Sequence, residues 1–147
     1  MKRAHIATWT LITGLVLTTA YAPAWAEAQP LALRSIMKEL GSNMRIVTDG
    51  ISREDWGLVD KTAPLIADHS RPPLLEKTRI LGFLGGDMAK FKSRDDAAHE
   101  AAKALGLAAR NQDGQAVIAA FQKLQMRCYD CHREFRKPFV AHFYGAR

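Results

Sequence analysis

Cysteine is nearly absent from this chain: its 147 residues hold two, Cys128 and Cys131. A structural zinc site draws on four ligands, usually two such pairs, and no second pair exists here. A thioredoxin-like thiol pair belongs at the start of a helix in a strand-helix-strand pattern, and no strands of that kind are evident. Long apolar runs are missing too. The stretch from Ile6 to Ala20 is short and broken by threonines, which makes it a poor membrane anchor. Neither sign of charge dominates: 21 basic against 15 acidic residues, evenly spread, argue against a nucleic-acid surface. Internal repeats and low-complexity tracts are lacking as well.

What the start of the chain does have is order. Lys2, Arg3 and His5 precede the apolar stretch, which closes at Ala24-Trp25-Ala26. A basic start, a short apolar middle and a small-x-small close describe a secretory signal peptide over residues 1–26, cut after Ala26. One domain, residues 27–147, then remains. Its cut removes Lys2 and Arg3 and no acid, so the basic excess changes little. The mild bias suits attraction to an acidic redox partner.

The two cysteines stand in Cys128-Tyr129-Asp130-Cys131-His132. This is the attachment pattern of a c-type haem, in which each thiol adds to a vinyl group and the imidazole binds iron. On a helix the three residues fall at i, i+3 and i+4 and share a side. Export fits the motif, because thioether formation to haem is expected outside the bacterial cytoplasmic membrane.

Hydrophobic spacing predicts helix almost throughout residues 27–147. Leu33, Ile36, Met37, Leu40, Met44, Val47 and Ile51 recur at three and four, with a stop near Asp49-Gly50. Ser52-Arg53-Glu54-Asp55 has the form of a capping box for a second helix through Trp56, Val59, Ala63 and Ile66, kinked or thinned at Pro64. The stretch from Pro73 to Gly86 reads either as a short helix or as an irregular crossover. Met88, Phe91, Ala98, Ala101, Leu105 and Ala108 mark a third helix, closed by Asn111-Gln112-Asp113-Gly114. A final helix, capped by Asp113, carries Val117, Phe121, Leu124, Cys128, His132, Phe135 and Phe139, with Pro138 bending or ending it. The fold class is therefore all-α, an antiparallel four-helix bundle with haem c held in its core.

With the haem motif near the C-terminus, the tail Cys128-Tyr129-Asp130-Cys131-His132-Arg133-Glu134-Phe135-Arg136 and the run Met37-Lys38-Glu39-Leu40-Gly41 in the first helix, the chain resembles the cytochrome c prime family, including its cytochrome c-556-type members. The resemblance implies thioethers at Cys128 and Cys131, His132 as proximal ligand and Arg136 near the haem as a fixed cation. Phe135 stands where many relatives carry Tyr. At the distal position the family presents either an apolar residue, leaving iron five-coordinate, or a methionine, and this chain has Met37. Thioether ligation favours ferrous iron and electron transfer. Relatives commonly pair through their first two helices, so a homodimer is expected.

The resulting expectation is a periplasmic one-electron carrier, not an enzyme, with iron held by His132 and Met37. The alternative is a five-coordinate protein that binds nitric oxide or carbon monoxide. Met44 is the rival sulfur, while Met88 and Met126 read as packing. Peroxidase chemistry lacks an identifiable distal His or Arg pair. His69 and His99 read as solvated surface groups, and His142 as turned off the haem side. Lys123, Arg127, Arg133, Arg136 and Lys137 make the last helix basic, fit to steer an acidic partner.

Overall fold

The computed structural model describes residues 30–145, and the leader expected over residues 1–26 lies outside them. Six helices follow in order: α1 (Ala32–Ser52), α2 (Trp56–Ala67), α3 (Leu74–Leu84), α4 (Met88–Arg110), α5 (Gly114–Cys131) and α6 (Lys137–Tyr144). A 3-10 turn at Gly85–Asp87 joins α3 to α4, and a π turn at His132–Arg136 joins α5 to α6. No strand occurs among the described residues. The four helices α1, α2, α4 and α5 form the bundle, and α3 is the connection that crosses from α2 to α4.

The two tight turns of the bundle are built alike. At the end of α1, the Asp55 amide donates to the Gly50 carbonyl and the Glu54 amide to that of Ile51. At the end of α4, the Asp113 amide donates to Ala108 and the Gln112 amide to Ala109. Each is a Schellman closure, with a left-handed residue at its centre, Glu54 at φ 56° and Gln112 at φ 57°. In both, the next residue is an aspartate that starts the following helix: Asp55 accepts from the Leu58 amide at 2.9 Å and Asp113 from the Ala116 amide at 3.0 Å. The cap of α2 is thus Asp55 and not Ser52, whose hydroxyl donates back to the Thr48 carbonyl as the last residue of α1. Gly50 does not stop α1. It lies buried within the helix, where a Cβ would stand 2.9 Å from Val59, so its bareness lets α1 and α2 approach.

Small residues set the α2–α4 spacing. A Cβ on Gly106 would sit 3.3 Å from that of Ala63, and Ala67, Ala101, Ala102 and Ala109 are buried along the same seam. Leu105, Leu124, Val47, Val59 and Val117 fill the centre, each contributing about 1.5–3 kcal/mol through its burial. Met44 packs against this core. Met126, expected to pack, is half exposed instead, on the outer side of α5.

A second cluster occupies the other end of the molecule, where Leu31, Ile80, Leu84, Phe135 and Phe139 are buried together. Residues 74–84 are therefore a regular helix, whose Ile80 and Leu84 face this cluster. Glu76 of α3 adds a polar tie. Its carboxylate accepts from the Ala32 amide at 2.6 Å and the Leu33 amide at 2.8 Å, satisfying two free N–H groups of α1 and meeting the positive end of its dipole. Pro138 does not end the last helix. The wider π turn ahead of it suits a ring that supplies no amide for the ordinary i→i−4 bond.

Candidate haem-binding site

α1 passes along α2, α2 along α4 and α4 along α5, but α1 meets α5 only sparingly. The gap in that seam is a cavity of about 620 Å³, within the size range of pockets that enclose cofactors. Leu33, Arg34, Met37 and Lys38 line it from α1, Phe91 and Asp95 from α4, Cys131 from α5, and His132, Phe135 and Arg136 from the π turn. Phe139, Val140 and Tyr144 complete it from α6. Four of the five residues expected at the site, Met37, Cys131, His132 and Arg136, thus share one cavity, although Met37 lies nearly a hundred positions from the rest.

Cys128 lies one helical turn before Cys131, half-buried against the main core. Cys131 packs instead toward the second cluster. Burial pushes both thiols up, Cys131 to about 11, so both are protonated at neutral pH. His132 is affected in the other direction: burial first, and then the Arg136 cation, lower its pKa. The imidazole is therefore neutral and keeps a lone pair for a metal.

The π turn sets where these groups point. It adds a residue relative to α-helical register, so Phe135 and Phe139 leave the stripe of Val117 and Leu124 and join the second cluster. Glu134, inside the turn, pairs with Lys90 and with Arg94 at 3.5 Å, which ties the turn to α4. Lys90 foremost holds the Glu134 carboxyl below its usual range. Cation and ring also meet at the cavity edge, where the Arg34 guanidinium lies 5.3 Å from the centre of the Tyr144 ring.

The residues present suit a c-type haem. Two thiols and a neutral imidazole come from one helical run, Leu33, Met37, Phe91, Phe135, Phe139 and Val140 give apolar walls, and Arg34, Lys38 and Arg136 supply positive charge for carboxylate groups.

Two of the histidines away from this motif, His69 and His99, differ from their sequence reading. His69 and His99 are not solvated: their side chains are only 14% and 22% exposed, and their rings stack at 4.8 Å. His69 follows α2 and His99 lies on α4, so their meeting depends on the bundle and has no local signal. The Asp95-x-x-x-His99 spacing was the one legible hint. His142 stacks on Phe83 at 4.4 Å, away from the cavity.

A comparison with curated proteins finds no match. The family model for cytochrome c prime matches residues 32–136, from the first residue of α1 to the last of the π turn. That span holds the bundle, both cysteines, His132, Arg136 and Met37, and the chain belongs to the cytochrome c prime family, haem c cytochromes built on a helical bundle.

Proposed function

We propose that this protein is a periplasmic mono-haem electron carrier whose iron is held by His132 and Met37, with Cys128 and Cys131 joined to the haem through thioethers. The observation that carries the proposal is that Met37 of α1 and His132 of the π turn line one cavity. Haem c supplies a ferric/ferrous couple that exchanges single electrons. The residues do the rest. Met37 offers a soft thioether, which favours the reduced metal; His132 offers a neutral nitrogen; Phe91, Phe135 and Phe139 exclude water; Arg34 and Arg136 hold negative charge at the rim. With His132 and Met37 both holding the metal, the site would reorganise little on gaining an electron, which suits a carrier.

Membership of a typically periplasmic family and the secretory pattern of residues 1–26 support the location. No helix of the described residues is long and apolar enough to cross a membrane. Acidic redox proteins are the proposed partners, steered by the basic residues of α5 and the π turn. A homodimer through α1 and α2 is also proposed, and the exposed Ile46 and Leu65 on those helices supply apolar surface for it.

Absorption spectra of the purified oxidised and reduced protein test the ligation. Low-spin spectra with a Met-to-ferric charge-transfer band, lost in Met37→Ala and kept in Met44→Ala, are expected. The second reading is a five-coordinate protein that binds nitric oxide or carbon monoxide, with Met37 standing off the iron. A high-spin spectrum that shifts on adding carbon monoxide would establish that reading instead.

A further inference from the structure

Beside the cavity, on the far side of Asp95, a second constellation of metal-ligating groups is assembled. His69, Asp95 and His99 each offer a ligand atom, and these atoms lie within 4.8 Å of one another. Asp95 and His99 are four apart on α4 and so share a face. His69 comes from the segment after α2, which Pro72 and Pro73 stiffen three and four residues further on.

The hydrogen bonds of the two rings point to a ligand. His69 holds its Nδ1 2.8 Å from the Ser70 carbonyl oxygen, and the Nδ1 of His99 meets the Ala67 carbonyl oxygen. A carbonyl only accepts, so in both rings Nδ1 carries the hydrogen and donates. In the neutral ring each Nε2 then bears a lone pair. Those two nitrogens face one carboxylate: the Nε2 of His69 is 3.7 Å from Oδ1 of Asp95, and that of His99 is 3.3 Å from Oδ2. Two lone pairs and an anion repel unless a cation lies among them, either a proton on a ring or a metal ion. Anchoring of Nδ1–H on a backbone carbonyl with Nε2 free is how metal-binding histidines are oriented.

We propose that His69, His99 and Asp95 bind one divalent transition cation of the zinc type, separate from the haem iron. Two imidazole nitrogens and one carboxylate oxygen match the donor preference of zinc and leave a fourth position for water. Tetrahedral bonds of about 2.0–2.1 Å place ligand atoms roughly 3.3 Å apart, so small rotations of the side chains close the present separations. Asp95 also lines the haem cavity, so the bound cation would fix a carboxylate shared by the two sites.

The test is titration of tag-free, haem-loaded protein with zinc chloride by calorimetry, after chelator treatment and dialysis. One zinc per chain is expected, weakened at least about tenfold in each of His69→Gln and His99→Gln. Zinc-edge X-ray absorption on the unmutated protein gives a reading that survives poor folding of either variant: two imidazoles in the first shell are expected. No binding up to millimolar zinc, equal affinity in the variants, or a first shell without two imidazoles would each overturn the proposal.

Discussion

At the scale of single residues, His69 and Asp95 form the pair whose protonation has a definite sign. The Asp95 carboxylate raises the pKa of His69 above 6.5, against the opposing effects of burial and the Arg71 cation. His69 in turn lowers Asp95 below 3.8, with His99 adding to the effect. A raised histidine stabilises the fold fully below pH 6.5 and loses that contribution as pH rises through its folded value. A depressed carboxylate contributes above 3.8 and loses its share as pH falls through its own folded value. The pair is thus strongest between those limits. In urea unfolding with chelator present, His69→Gln is expected to destabilise the protein more at pH 5.5 than at pH 8. An equal loss at both would show that the ring acts only by packing. This pairing was hidden in the sequence because His69 and His99 are 30 positions apart and meet only after α2 and α4 dock. His132, Cys128 and Cys131 were legible because their chemistry is spelled in five adjacent residues.

The helices themselves were legible for a different reason: apolar residues at three and four report which face is buried, and the stripes of α1, α4 and α5 are strong. Their ends were harder. Spacing identifies Asp113 as a cap, but the Ser52 pattern misled because the chain keeps its helical hydrogen bonds through Ser52 and turns at Glu54. The short stretch from Pro73 to Gly86 left helix and loop open, since its apolar residues are dense and half of them, such as Leu74 and Leu75, are exposed. The shared construction of the two tight turns supports a further expectation. Glu54 and Gln112 hold a left-handed backbone that costs a side-chain-bearing residue about 1–2 kcal/mol, while glycine gives back part of that relief in the unfolded chain. Gln112→Gly is therefore expected to stabilise by roughly 0.5–1 kcal/mol in denaturant titration. A loss of stability would mean that the Gln112 side chain contributes more than its backbone costs.

For the whole molecule, the sparse meeting of α1 and α5 is the governing feature, and periodicity alone had no means of revealing it. Each stripe shows that a helix buries a face, without saying whether protein or cofactor covers it. Met37 is informative for this reason: it lies on an apolar stripe yet keeps 38% of its surface open, at the wall of the cavity. On the proposed role of Cys128 and Cys131, a double Cys128→Ser, Cys131→Ser variant purified without haem is expected to lose more than about 3 kcal/mol of stability, the order of cost of emptying a large core site. Hydrogen exchange should accelerate most along α1. Unchanged stability would indicate that the seam closes by itself.

Glu76 gives the crossing segment a task besides connection. By grasping the amide end of α1, the α3 carboxylate fixes the height at which the first helix stands against the others. A thioether four or five residues further on inherits that setting. If sulfur meets iron there, the colour and potential of the protein are tuned by an acid that touches neither, through a handhold some forty residues along the chain.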